Sequence, residues 1–361
     1  MKDSIYMRRV LQLAKKGTGQ VSPNPRVGAL IERDGVVLSE GYHSRFGSPH
    51  AEVDALNRLN GKSAQGATLY VNLEPCTHFG KTPPCADSII RTGLGHVVIG
   101  IQDPNPEVAG KGINKLRENG IHVTTGVLPE LCTEINRAFI KYIQTGIPYV
   151  TLKVAQSLDG RIAAQSGKSK WITGEQSRRM VHRMRKEHDA VLVGVDTVIQ
   201  DDPQLTSRTG KKTVSKRIIL DSKLRIPEQA RVLQTTDNEQ TIIMTTAQAD
   251  PQKADRLRQN GVTVWPVSPD ESGRVDLKNA LKELGKAQIA SLFVEGGSKI
   301  FSAFIQQKLF DELIVFIAPI GFGSGLNAFD LPPISKPAEA FTFSSTLWKK
   351  VGHDMMFQGR V

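Results

Sequence analysis

A chain of 361 residues, 39% hydrophobic and 23% charged, is long enough for two ordinary domains and has a globular rather than a disordered composition. It shows no run near the roughly eighteen apolar residues of a membrane span and no apolar signal core, and three cysteines are too few for a disulfide framework, so a cytoplasmic, reducing setting is expected. The net charge of +11, spread over both halves without a like-charge run, favours an anionic ligand: a phosphorylated metabolite, a dinucleotide or nucleic acid.

Ile5, Val10, Leu11, Leu13 and Ala14 recur at helical spacing over 4–16, with Gly17 as a stop. A hairpin follows, 27–33 and 36–43 around an Asp34-Gly35 turn. A helix at 50–60, a strand at 67–73, a helix after Pro83, a strand at 96–101, a helix at 110–119, a strand at 121–127 and a helix at 129–145 complete a layered α/β domain. Gly146-Ile147-Pro148 punctuates the chain and divides it into domains 1–146 and 147–361. In the second half, strands are predicted at 149–155, 190–194, 217–221, 241–245, 262–267, 289–295 and 313–319, helices at 175–187, 251–260, 276–284 and 298–307, and a hairpin within 340–360.

The chemistry concentrates in His50-Ala51-Glu52, Pro75-Cys76 and Cys85. One imidazole and two thiolates form a set suited to tetrahedral zinc, one ion per chain, and three protein ligands leave the fourth position for water. Glu52 is two residues from His50, a poor spacing for a shared ligand role and a good one for a carboxylate that shuttles protons. A closed structural site would recruit His78 as fourth ligand and leave Glu52 unexplained. Cys132 reads as a buried thiol. Asn24, between Pro23 and Pro25, is either a pure turn residue or an amide that reads a pyrimidine edge, and His43 is either a packed histidine or a ligand contact.

The His-x-Glu and Pro-Cys elements resemble the cytidine-deaminase superfamily, although eight residues rather than two separate Cys76 from Cys85. That longer loop adds His78 and Lys81 beside the metal set. Together with Pro23-Asn24-Pro25-x-Val27-Gly28, Leu73-Glu74-Pro75-Cys76, Gly80-Lys81-Thr82-Pro83-Pro84-Cys85, Asp103-Pro104-Asn105-Pro106 and Ala109-Gly110-Lys111-Gly112, these motifs resemble the bifunctional riboflavin-biosynthesis deaminase/reductases, in which the long spacing is ordinary. The resemblance extends through Ser157-Leu158-Asp159-Gly160-Arg161, Trp171-Ile172-Thr173, Asp201-Asp202-Pro203 and Val294-Glu295-Gly296-Gly297.

The resemblance implies a cytidine-deaminase-like three-layer domain followed by a dihydrofolate-reductase-like α/β domain. It implies hydrolytic deamination of 2,5-diamino-6-(5-phosphoribosylamino)pyrimidin-4-one, then NADPH-dependent reduction of the ribosyl chain to ribityl. Glu52 is implied as the proton carrier, and Asn24, His43, His78 and Lys81 as the lining of the pyrimidine pocket. In the second half, Ala155, Trp171, Thr197, Asp201, Ser222 and Gly297, Ser298, Lys299, Ile300, Phe301, Ser302 and Ala303 match dinucleotide contacts. Ser169, Arg185, Leu205, Arg208 and Glu295 match substrate contacts there, with the arginines read as phosphate ligands, and Lys153 is placed near the transferred hydride. No Gly-x-Gly-x-x-Gly follows a strand in this half, so the usual dinucleotide fingerprint is absent. Aromatic content of 6% and the lack of a nucleic-acid-binding motif argue against an RNA-editing enzyme. The expected partners are a phosphorylated pyrimidine and further copies of the chain as a homo-oligomer, without nucleic acid or membrane.

Overall fold

Helix α1 (Lys2–Ala14) buries Met7, Val10, Leu11 and Ala14 on one face, whereas Ile5, counted in the apolar stripe from sequence, is exposed. Strands β1 (Gly28–Arg33) and β2 (Val36–Tyr42) form the expected hairpin, with positive φ at both Asp34 and Gly35. Then come α2 (Ala51–Asn57), β3 (Thr68–Leu73), α3 (Cys85–Arg91), β4 (His96–Ile101), α4 (Lys111–Glu118), β5 (His122–Thr125) and α5 (Pro129–Thr145). The sheet order is β2-β1-β3-β4-β5, antiparallel across β2, β1 and β3 and parallel from β3 to β5. Successive strand residues face opposite sides. Ala29, Ile31, Leu69, Val71, Val97 and Ile99 pack with residues of α2, α3 and α4. Leu30, Tyr70 and Val98 pack with α1 and α5 on the other side, which makes a three-layer sandwich.

This computed structural model describes residues 2–77, 83–106, 108–206, 215–234 and 240–361, and the chain separates into units 1–146 and 147–361. His78, Lys81 and Arg208 lie outside the described residues.

The second unit begins with β6 (Tyr149–Ser157) and β7 (Arg161–Ala163), then α6 (Glu175–Glu187), β8 (Ala190–Gly194), α7 (Val195–Asp201), β9 (Lys216–Leu220) and β10 (Thr241–Thr245). It continues with α8 (Pro251–Gln259), β11 (Thr263–Pro266), α9 (Leu277–Lys286), β12 (Ser291–Val294), α10 (Ser298–Gln306), β13 (Glu312–Ala318), β14 (Leu326–Asn327), β15 (Ser345–Val351) and β16 (Asp354–Arg360). Its main sheet runs β11-β10-β9-β8-β12-β6-β13-β16-β15, parallel up to β13 and antiparallel in the C-terminal ribbon. Helices α9 and α10 cover one face, with Leu281, Leu284, Phe301 and Phe304 against Leu152, Leu192 and Ile218. On the opposite face α7 and α8 pack over Val191, Ile219 and Ile243, and α6 packs over Phe293 and Phe316.

The predicted order of elements matches what is seen, with differences at short pieces. The helix predicted over 50–60 is confined to α2, because His50 is its extended N-cap and Asn60 and Gly61 adopt positive φ beyond it. Helix α7, of seven residues, and the β7–β14 pair are too short to leave a periodic pattern in sequence.

Candidate metal centre and reductase cleft

Beyond the hairpin, α2 lies against β2 at Gly41, where a Cβ would stand 2.3 Å from the Ala55 backbone nitrogen. This close approach brings the N-terminal end of α2 to the sheet. His50 occupies the N-cap with extended backbone and Glu52 the first turn, so the His-x-Glu pair straddles a helix start rather than lying inside a helix. Cys76 follows β3 in irregular chain, and Cys85 is the first residue of α3.

The three elements converge. His50 Nδ1 lies 3.2 Å from Cys85 Sγ and 3.5 Å from Cys76 Sγ, and the three ligand atoms fall within 4.8 Å of one another. Ligands at ordinary zinc–sulfur and zinc–nitrogen distances in a tetrahedron stand about 3.5–3.8 Å apart, so the donor set fits zinc in both chemistry and spacing. The Cys85 N–H donates to Cys76 Sγ at 3.4 Å. Hydrogen bonds from Cys85 and His50 pull the Cys76 thiol far below its usual range. The Cys85 thiol, bonded to Cys76 and buried, is pushed up. Glu52 is 4% exposed, and burial pushes its carboxyl up to about 7, against a lowering by His50.

Beside this set, Asn24 Nδ2 lies 3.2 Å from His43 Nε2, and His43 Nδ1 lies 3.1 Å from the Pro49 carbonyl. The carbonyl accepts only, so Nδ1 carries the proton and Nε2 accepts from the Asn24 amide. Burial lowers the His43 pKa, which favours this neutral form. The Asn24 turn is itself anchored: Asn136 bonds both the N–H and the carbonyl of Arg26, and Asn72 bonds the same carbonyl and the Gly28 N–H. Asn72 and Asn136 are supports that sequence reading missed, since their partners lie 44 to 110 residues away. Cys132 is fully buried in the core between α1 and α5, as the sequence suggests.

In the second unit a cavity of about 520 Å³ is lined by Lys153, Ala155, Ser169, Trp171, Arg185, Thr197, Asp201, Leu205, Glu295, Gly297 and Phe301 among others. A second cavity, of about 870 Å³, takes in Thr197, Ser222, Gly297, Ser298, Lys299, Ile300 and Ala303. The two share Thr197, Gln200, Gly297 and Leu326, so they form adjoining parts of one cleft. Apart from Ser302, the described residues among the sequence-derived contacts of the second half thereby fall in one region. Ser302 lines neither cavity: its hydroxyl donates to the Ser298 carbonyl and accepts from the Asp330 N–H.

Within the cleft, Glu295 is the centre of a charge cluster. Its carboxylate accepts from Arg185 through both Nε and Nη2, and from Lys153 Nζ at 3.4 Å. Burial works to raise the Glu295 pKa, but Arg185 and Lys153 outweigh it and hold the carboxyl at about 2. The guanidinium fork of Arg185, read from sequence as a phosphate clamp, is directed to Glu295 instead, and its Nη1 donates to the Thr206 carbonyl. Ser169 Oγ donates to Asp201 at 3.0 Å, which joins a residue read as a substrate contact to one read as a cofactor contact. Ser222 Oγ accepts the Val275 N–H.

Sequence reading also missed Arg178 and His182, which line the first cavity together with Arg185 from one face of α6. Arg178 lies 4.6 Å from the centre of the Trp171 ring, in cation–π contact. Their spacing over 178, 182 and 185 was a usable helical signal, but a charged helix face is ordinarily solvated.

Residues 1–101 match the family model described as the cytidine and deoxycytidylate deaminase zinc-binding region, and residues 148–357 match the RibD C-terminal domain. The chain is 48% identical to the riboflavin biosynthesis protein RibD of Aquifex aeolicus over 91% of this chain and 90% of that protein. It is 40% identical to that of Escherichia coli over 98% of both chains. The solved structure of Acinetobacter baumannii RibD superposes with a TM-score of 0.89 at 39% identity, covering 99% of this chain and 98% of that one. A Thermotoga maritima structure described as a diaminohydroxyphosphoribosylaminopyrimidine deaminase/5-amino-6-(5-phosphoribosylamino)uracil reductase gives 0.87 at 39% identity with the same coverage. The chain belongs to the RibD family: it is a bifunctional riboflavin-biosynthesis enzyme that joins a zinc-binding deaminase to an NADPH-dependent reductase.

Proposed function

We propose that residues 1–146 deaminate 2,5-diamino-6-(5-phosphoribosylamino)pyrimidin-4-one and that residues 147–361 reduce the product's ribosyl chain to ribityl. The observation that carries the first assignment is Glu52, a buried carboxyl with its pKa near 7, beside the convergent His50, Cys76 and Cys85. Those three residues would hold zinc, which when bound supplies Lewis acidity and an activated water. Glu52 takes one proton from the attacking water and gives it to the ring nitrogen, then takes the remaining hydroxyl proton and passes it to the leaving amine as the carbonyl forms, so that water is consumed and ammonia released. Asn24, oriented by His43, presents its amide to the pyrimidine edge. His78 and Lys81 are assigned to the same pocket from the sequence.

For the second reaction, NADPH when bound supplies the hydride. The wall containing Gly297, Lys299, Ile300 and Ser222, together with Thr197 and Asp201 of the adjoining cavity, is assigned to the dinucleotide. Lys153, held beside Glu295, donates a hydrogen bond to the ribosyl oxygen as hydride arrives at the adjacent carbon. Arg185 holds Glu295 in place, Ser169 and Leu205 complete the substrate side, and Arg208 is assigned to it from the sequence. We also assign a cytoplasmic homo-oligomer. Strand β15 forms an edge of the main sheet with Leu347 and Trp348 more than half exposed, and three unpaired cysteines suit a reducing compartment.

A coupled assay tests the reading. The diaminopyrimidine phosphate is supplied with NADPH, and ammonia release is followed together with loss of nicotinamide absorbance. Glu52→Gln should stop both signals while separately supplied deaminated product is still reduced. Absence of both reactions in zinc-loaded wild-type protein would overturn the assignment.

A further inference from the structure

We propose that Glu74 is the positioning residue of the deaminase metal centre, fixing the peptide that delivers Cys76. The proposal rests on reading His50, Cys76 and Cys85 as the metal ligands. Of those three, His50 caps α2 and Cys85 opens α3, so helices hold both. Cys76 lies in irregular chain beyond β3 and needs another device.

Glu74 supplies it. Its side chain is buried, and each oxygen accepts two backbone N–H groups: Oε1 from Gly112 at 2.8 Å and Ile113 at 3.1 Å, Oε2 from Asp103 and Gly110 at 3.0 Å each. The Glu74 N–H donates in turn to the Ile101 carbonyl at 3.0 Å. A carboxylate has about four lone-pair sites, and here four N–H donors meet them. The donors come from the segment between β4 and α4 and from the first turn of α4, so one side chain ties that segment to the strand end that leads into Cys76.

A second contact acts on the same peptide. A Cβ on Gly112 would stand 2.1 Å from the Pro75 carbonyl oxygen, so the helix start is seated directly on the peptide before Cys76. On the other side of Cys76, the Ala86 N–H donates to its carbonyl at 3.1 Å and the Cys85 N–H to its sulfur at 3.4 Å. The thiolate is therefore held from both chain directions. The Leu73-Glu74-Pro75-Cys76 motif and the glycine-rich motif at 109–112 are two halves of one device. A helix cap alone would contribute to stability only; a positioning residue must also be read at the metal.

The test uses the full-length protein, loaded with zinc for affinity by competition with a chromophoric chelator and with cobalt(II) for its visible ligand-field and thiolate bands. Glu74→Gln, which turns an amide N–H toward backbone N–H donors, should weaken zinc binding about tenfold to a hundredfold and shift the cobalt bands. Gly112→Ala should shift them as well, by pushing on the Pro75 carbonyl. If the Gln variant does not accumulate, Glu74→Asp, one methylene short of its donors, carries the same expectation. Wild-type affinity and an unchanged cobalt spectrum in the Glu74 variant, whatever its melting temperature, would overturn the proposal. His50→Ala is the benchmark: if it too binds zinc as the wild type does, the ligand assignment itself is what fails.

Discussion

Replacing Glu295 by Gln keeps the shape of the side chain and removes the charge on which Lys153 and Arg185 converge. The Glu295 side chain is 7% exposed and each cation 15%, so water screens the cluster little. A carboxyl held at about 2 against an ordinary 4.5 represents about 3 kcal/mol of preference for the charged form in the folded state. The folded value lies below the unfolded one, so this stabilisation is complete above about pH 4.5 and is lost progressively as the pH falls toward 2. At neutral pH Glu295→Gln should lower the melting temperature of the second unit by roughly 6–12 °C, because two buried cations lose their counter-charge. It should also flatten the acid limb of the stability curve by the same amount. Trp171, Trp265 and Trp348 are the only tryptophans and all lie in 147–361, so fluorescence-detected melts between pH 2 and 7 read that unit. Identical acid limbs in the two proteins, or a melting shift under about 2 °C at pH 7, would refute the reasoning.

Cys85→Ser should abolish stoichiometric zinc in elemental analysis and stop deamination, while supplied deaminated product is still reduced; retained zinc would remove Cys85 from the ligand set. Gly41→Ala should force α2 off β2, because its Cβ would lie 2.3 Å from the Ala55 nitrogen, at a cost of about 1–3 kcal/mol. Deamination should then fall further than reduction, and equal effects on both rates would count against α2 as the carrier of His50 and Glu52. Trp348→Lys, at a position 58% exposed on the edge strand, should lower the sedimenting mass if β15 forms the oligomer contact; an unchanged mass rules that face out.

Much of the architecture follows from local chemistry. The short apolar runs of β3 and β4, the apolar stripe of α1 and the Gly146-Ile147-Pro148 break each involve residues close in sequence, so the element order and the division near 146 are readable without coordinates. Residue type likewise singles out His50, Cys76 and Cys85, because few side chains bind zinc and two thiols with an imidazole form a distinctive set. Tertiary structure decided the rest. Glu295 reads in sequence as part of a strand-to-glycine turn, yet its partners Lys153 and Arg185 lie 142 and 110 positions away. The same holds for Asn136 on Arg26 and for the four N–H donors of Glu74, whose separations of 29 to 110 residues leave no periodic trace. His50 was expected as the first residue of a helix and stands one position outside it, as the extended N-cap of α2. Residue type thus marked the candidate metal ligands, whereas the supports around them depend on contacts made only when distant segments pack.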